Sequence, residues 1–288
     1  MHSIKKQTEI RIPFNDDFDF AKTFYCGQCF RWNADQNGTF WGVAKGHAAC
    51  LRRDTDTGDI FLMSTSENFN TIWHDYFDFP RCYAKIRKSL CIDPYMTNAA
   101  EFGAGIRILR QDPWEALCSF ILSQCNNIPR IKQIIETFCR LFGDPILFLG
   151  KTFYSFPSAE KTAGLQAGDL IPLKCGYRAP FLLNAAKAVA SGCIDFDVLT
   201  HGSYENALKT LKTLQGVGDK VANCTILFGL HMEDAFPIDI WMKKAIAKHY
   251  PAGLDPKIFG GNAGLAQQYM FYYQRSGRDS LSFPAYLL

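Results

Sequence analysis

The chain has 288 residues, 48% hydrophobic and 20% charged, with a formal net charge of +3. That length supplies ample core for one large domain or for two to three small ones. So mild a charge excludes a chain-wide basic surface, and any nucleic-acid contact must come from a local patch. Eleven cysteines are scattered through the sequence, and neither a signal peptide nor a long apolar run is evident, which predicts a protein of a reducing cytosol. Cys26 and Cys29 have the spacing of metal ligands, but no second such pair and no His pair completes a set of four, so the spacing does not predict zinc.

The first predicted elements are strands. Between Gly27 and Ser64 four runs alternate apolar and polar residues, GQCFRWN, TFWGVAK, AACLRRD and DIFLMS, with turn signals at Asn37-Gly38 and Thr57-Gly58. Alternation bounded by such turns predicts an antiparallel sheet. Glu67 to Phe77 and Cys82 to Leu90 read as helices, and Asp93 to Gly105 as a link onward. The expected division is an N-terminal antiparallel sheet domain, 1–100, followed by a mostly helical body, 101–288, an α+β protein.

From Gln111 onward the pattern is helical. Asp112 is an N-cap, Pro113 a first-turn residue and Glu115 the capping-box partner of WEALCSFILSQC. A break at Asn126-Asn127 precedes the helix PRIKQIIETFCRLFG, which Gly143 ends. Phe153 to Leu173 reads as loop with short helical pieces, and Tyr177 to Ser191 as a helix stopped by Gly192. Ser203 caps the helix that runs to about Leu214. The closing segment GNAGLAQQYMFYYQRS is a helix, about 262–274, with Gln267 and Phe271 four apart on one face.

The most informative stretch runs from about 204 to 240. Gln215-Gly216-Val217-Gly218 is a hairpin turn whose glycines permit unusual backbone angles and expose the N–H groups of a helix N-terminus, a setting that holds phosphate. Lys220 sits in the first turn of the next helix, where the positive end of the helix dipole opposes an ammonium. The residues behind it, Val221, Ala222, Cys224, Ile226, Leu227 and Phe228, are apolar on all sides, so the helix is buried. Local sequence leaves two readings open: a lysine that loses its proton and becomes a nucleophile, or one that reaches solvent or a phosphate. Asp239, in Pro237-Ile238-Asp239, is placed to N-cap the next helix.

Glycine hairpin, lysine, buried helix, proline and aspartate, in that order, resemble the helix-hairpin-helix DNA glycosylase superfamily, carried here by LQGVGDKVA and PIDI. Over nearly the whole chain GQCFRW, SQCNNIPRI, CGYRAPF, GVGDKVANC, PIDI and GLAQQYMF resemble, in the same order, the 8-oxoguanine DNA glycosylase/lyase family. Some superfamily members carry an iron-sulfur loop after the Asp helix. No cysteine comes after Cys224, so no cluster is expected.

The resemblance implies a base-excision repair enzyme that removes 8-oxoguanine opposite cytosine in duplex DNA, then nicks the strand by β-elimination. It implies Lys220 as the nucleophile that forms a Schiff base and Asp239 as the ionised group that stabilises charge on the sugar. Gly27 would offer its carbonyl to the N7–H of 8-oxoguanine, Cys224 and Phe271 would sandwich the flipped base, and Gln267 would bond its Watson–Crick edge. Tyr177 would wedge into the stack, Arg130 and Arg178 would read the orphaned cytosine, and Asn126 or Asn127 would add contacts there. Taken singly, Cys224 also reads as a structural cysteine and the arginines as phosphate contacts.

The hairpin residues Gln215, Gly216, Val217 and Gly218 would grip phosphate, with a monovalent cation at the hairpin and no other cofactor. Lys243, Lys244 and Lys248 would add positive potential or simply form a solvated helix face. Two departures from the animal and fungal pattern bear on opposite-base choice. Cys125 replaces the first of three asparagines, which predicts looser discrimination, and Trp241 replaces a histidine. The competing readings are a non-catalytic helix-hairpin-helix DNA-binding module and a glycosylase for another modified base. The expected protein is a monomeric prokaryotic cytoplasmic enzyme with double-stranded DNA as its partner.

Overall fold

The computed structural model describes residues 7–13 and 16–276. Its N-terminal part is a five-stranded antiparallel sheet in the spatial order Thr8–Ile12, Ile60–Ser64, His47–Arg53, Phe40–Ala44, Trp32–Ala34. Three of the four predicted runs form strands close to their expected positions. The fourth, GQCFRWN, is a strand only at its end, because Gln28 draws the preceding residues out of the sheet. Its amide donates to the carbonyls of Thr23 (3.1 Å) and Arg107 (2.7 Å) and accepts from the N–H of Leu109 (2.9 Å). The first strand is not among the predicted runs. TEIRI offers two apolar residues among charged ones, and its strand character comes from pairing, with Ile10 opposite Leu62.

One face of the sheet closes over an aromatic core. Phe24, from the helix Phe20–Tyr25, stacks on Trp32 at 4.6 Å, and Trp73, Tyr76 and Phe77 complete the layer. The other face is covered by a hairpin, Pro145–Phe148 and Lys151–Tyr154, that extends from the helical body. There Phe153 lies parallel to Trp41 at 6.3 Å, with the Lys151 ammonium 3.5 Å above the same indole. This hairpin, too, lies outside the predicted elements.

The helical body is built around two packed helices, Pro113–Leu122 and Asp219–Phe228, whose side chains beyond the first turn are buried. Asp112 caps the first, accepting from the N–H of Glu115 at 2.9 Å. The expected capping box is not closed, since the Glu115 carboxyl turns away to face Arg31 at 3.8 Å. Asp93 to Gly105, expected as a link, contains the helix Pro94–Phe102, capped by Asp93 and carrying proline at its first position. That helix packs against the closing helix Ala263–Ser276, so the residue 100/101 junction falls inside an element of the body. Between the two cores runs the Cys26 to Trp32 segment. Cys26 and Phe30 belong to the core of the body, and Cys29 and Trp32 to that of the sheet.

Candidate active site

The helix Tyr204–Leu211 is capped by Ser203 and leads into a turn in which Val217 N–H bonds the Leu214 carbonyl at 3.1 Å. Gly216 has φ +79° and presses on Phe181 so closely that a Cβ would fall 2.3 Å from its ring. Both the angle and the space demand glycine. Gly218 then starts the helix Asp219–Phe228 with no side-chain cap, leaving the positive end of that helix beside the turn. The Gln215 side chain is anchored by Asn184 at 2.5 Å.

Lys220 occupies the first turn. Its Nζ donates to Ser123 Oγ at 3.0 Å and sits 4.9 Å from the centroid of the Phe120 ring. Phe120 is itself stacked on Phe228 at 5.4 Å and met edge-on by Phe30 at 6.0 Å. The nucleophile candidate is therefore held by the end of the neighbouring helix, with an aromatic face beneath it. Neither Ser123 nor Phe120 is visible as a site residue in the sequence, since both read as ordinary positions of an apolar helix.

One turn after Lys220, Cys224 is buried. Burial pushes its thiol up to about 11, against the pull of the Lys220 ammonium and with a contrary push from the Asp239 carboxylate. Asp239 caps the helix Ile240–His249, accepting from the N–H groups of Trp241 and Met242, each at 2.9 Å. Two backbone donors and a helix N-terminus support its negative charge.

A second group of the expected site residues comes from the sheet domain and the closing helix. Gly27 has φ +97°, and a Cβ there would lie 3.4 Å from Ile128, 3.5 Å from Arg275 and 3.6 Å from Phe271. Gln267, one turn before Phe271, is buried and accepts from the Gln268 amide at 2.9 Å. Gly27 and Phe271 are thus neighbours, with Gln267 one turn away on the closing helix, while Lys220 and Cys224 lie one turn apart on theirs.

A second cluster lies at the start of the helix Ile128–Phe142. Asn127 caps that helix, accepting from the N–H of Arg130 at 2.9 Å, and the Asn126 amide folds back toward the Leu122 carbonyl. Arg130 reaches Gln133 and the Lys174 carbonyl at 2.9 and 3.1 Å, and Tyr177 is 53% exposed. Arg178, expected as a reader of cytosine, makes its contacts within the protein. Its guanidinium is buried and donates to the carbonyls of Gln124, Cys125 and Cys175. In this arrangement it clamps the turn that holds Cys125 at φ +48°, and its donors face protein. On the helix after Asp239, Lys243, Lys244 and Lys248 are exposed, and Lys244 lies 5.1 Å over the Trp241 ring.

Comparison with known proteins agrees with this geometry. The family model described as 8-oxoguanine DNA glycosylase, N-terminal domain, matches residues 11–117. The fold superposes on the structure of MBOgg1 in complex with a low-affinity DNA ligand with a TM-score of 0.88, at 39% identity over 93% of this chain and 96% of that one. It also superposes on the 8-oxoguanine glycosylase/lyase of Clostridium acetobutylicum in complex with double-stranded DNA containing cytosine opposite 8-oxoG. There the TM-score is 0.87, at 34% identity over 95% and 98% of the two chains. An N-glycosylase/DNA lyase of Saccharomyces cerevisiae is 28% identical over 254 residues, 80% of this chain and 68% of its own length. Similarity of this order along almost the full length of the chain makes the protein a member of the 8-oxoguanine DNA glycosylase/lyase family.

Proposed function

We propose that this protein excises 8-oxoguanine from duplex DNA and cleaves the resulting abasic site, with Lys220 as nucleophile and Asp239 as electrostatic partner. The observation that carries the reading is Lys220 turned inward after the glycine turn, its Nζ on Ser123 Oγ at 3.0 Å and beside the Phe120 ring, with Asp239 held at the N-terminus of the following helix. A helix-hairpin-helix that only held phosphate would need neither of these groups on its inner side.

The chemistry follows from the positions. A nucleotide stacked in a duplex keeps its C1′ out of reach, so it must rotate out into the pocket. Lys220, deprotonated, attacks C1′; the bond from C1′ to N9 breaks and its electron pair leaves with the base. Asp239 stabilises the positive charge that develops on the sugar. Opening of the sugar ring yields a Schiff base on Nζ. Loss of a 2′ proton then expels the 3′ phosphate and nicks the strand.

Selectivity rests on Gly27. Its carbonyl would accept the N7–H that 8-oxoguanine has and guanine lacks, whereas guanine N7 would meet it acceptor to acceptor. Cys224, kept as a thiol at neutral pH, and Phe271 would enclose the base, and Gln267 would bond its edge. Arg130 and Tyr177 would face the opposite strand, with Asn126 and Asn127 shaping the turn between them and Arg178 holding that turn from within. A monovalent cation at Gln215–Gly218 would rest on backbone carbonyls, because Asp219 beside the turn is paired with Lys212 at 2.5 Å. Eleven unpaired cysteines fit a reducing compartment, for which we take the prokaryotic cytoplasm with its nucleoid DNA, and among the described residues no helix is long and apolar enough to cross a membrane.

The test is a duplex carrying 8-oxoguanine opposite each of the four bases, with released base and nicked strand measured separately. Release from the cytosine duplex together with nicking is expected. Release without nicking would remove the lyase step, and neither would leave the DNA-binding module as the better reading.

A further inference from the structure

Gln267, Phe271 and Arg275 lie at successive turns of the closing helix, on one stripe, and the last two reach the Gly27 loop. The first two were expected in the base pocket, whereas Arg275 has no assigned part. Its guanidinium donates to the Tyr25 carbonyl at 2.8 Å, lies 5.2 Å from the centroid of the Phe271 ring and reaches within 3.5 Å of where a Gly27 Cβ would stand. Resting on the proposed base pocket, we infer that Arg275 is a positioning residue for lesion recognition, tying the loop that carries the Gly27 carbonyl to the helix that carries Phe271.

The loop has two anchors. On the side of the sheet and body, Gln28 is fixed by hydrogen bonds with Thr23, Arg107, Leu109 and Gln111. That anchor reaches the Arg107 to Gln111 segment but none of the residues of the closing helix. Arg275 supplies the second, by joining Tyr25, two residues before Gly27, to the pocket helix. The damage test needs this link. A carbonyl that must distinguish N7–H from bare N7 has to sit within hydrogen-bond reach of a base whose plane Phe271 defines, and an error of a few tenths of an ångström weakens the bond and the repulsion alike. Arginine suits the task because its planar guanidinium can donate in one direction while lying against an aromatic face. Burial lowers its pKa, opposed by the neighbouring Cys26 and Tyr272 and by the Asp239 carboxylate, and an arginine stays charged under that change.

The experiment separates recognition of the base from the chemistry of the lysine. Arg275→Met keeps much of the stem and removes the guanidinium, and Arg275→Lys keeps a charge but not the planar fork. Each is assayed beside wild type for single-turnover excision of 8-oxoguanine, for nicking of a preformed abasic site, which has no base to recognise, and for thermal melting. Excision by the Met variant should fall about 10- to 100-fold, the range of a lost charge-assisted hydrogen bond. Abasic-site nicking should stay within about twofold of wild type, since that substrate bypasses the Gly27 contact. The Lys variant should recover only part of the loss. Unchanged excision, or equal falls in excision and nicking, would overturn the inference, and so would full recovery by lysine. Failure of the wild-type enzyme to release 8-oxoguanine would instead overturn the proposed function.

Discussion

Lys220 Nζ donates a 3.0 Å hydrogen bond to Ser123 Oγ, and that hydroxyl donates in turn to the Phe120 carbonyl at 2.8 Å. With its proton committed to Phe120, the serine can act toward the lysine only as an acceptor. The chain of two bonds therefore fixes the direction of the amine from the helix that ends at Leu122. Removing it in Ser123→Ala should slow formation of the trapped lysine adduct about 10-fold, the scale of one hydrogen bond to a charged group. Lesion binding should be unchanged. Single-turnover trapping and a binding titration measure the two, and an unaltered trapping rate would show that Phe120 and the backbone suffice.

Asp239 caps its helix and is proposed to face the sugar, and the two tasks can be separated. Asparagine caps about as well as aspartate, so Asp239→Asn should change stability by less than about 1 kcal/mol. Loss of the charge should reduce excision by about 100- to 1,000-fold, as for other preorganised electrostatic groups. Excision kinetics beside a melting curve decide it. A large fall in melting temperature with a proportionate loss of activity would reduce Asp239 to a cap.

Glu115 carries a pH dependence remote from the chemistry. Burial lifts its carboxyl to about 7 from an ordinary 4.5, despite the Arg31 guanidinium 3.8 Å away. Between those values the folded chain binds more protons than the unfolded one. The stability from this group is therefore complete below 4.5 and declines as pH rises through 7. The decline can reach about 1.4 kcal/mol per pH unit. Melting temperatures from about pH 5 to pH 8 should slope downward in wild type and flatten in Glu115→Gln. Parallel profiles would place the pH dependence elsewhere.

Cys125 bears on opposite-base choice. It is exposed and holds φ +48°, next to Gln124, whose carbonyl accepts from the Tyr177 hydroxyl at 3.4 Å. Asparagine tolerates the left-handed region better than most residues, so Cys125→Asn fits the backbone. It adds a donor and an acceptor on the face proposed to meet the opposite strand. The preference for cytosine over adenine opposite the lesion should rise roughly tenfold, the lower part of the range for a base-edge contact. Excision measured on the two duplexes tests this, and an unchanged ratio would remove the residue from that role.

The parts of the site that are legible in the sequence are those fixed by short-range chemistry. A glycine turn before an apolar helix locates Lys220, and Pro-Ile-Asp before a helical run locates the Asp239 cap, because each depends on neighbours within one turn. Elements fixed by distant partners are less legible. The edge strand Thr8–Ile12 gains its structure from Ile60–Ser64, and Gly27 to Arg31 is shaped by Gln28 bonds to residues some eighty positions away. Arg178 shows the same limit, since the sequence names a guanidinium but not the Gln124, Cys125 and Cys175 carbonyls that turn it inward. Ser123 and Arg275 carry no local signal. Their relevance appears only when helices ninety-seven residues apart, or chain ends two hundred and fifty apart, are brought together.

Borohydride trapping on a duplex with 8-oxoguanine opposite cytosine, comparing wild type with Lys220→Gln and using an undamaged duplex as control, tests the lysine mechanism most directly. Wild type should give a covalent adduct on the damaged duplex alone, and the variant none, although it should still bind the lesion. An adduct of equal yield from Lys220→Gln would contradict the assignment of the nucleophile and, with it, the mechanism built on the hairpin helix.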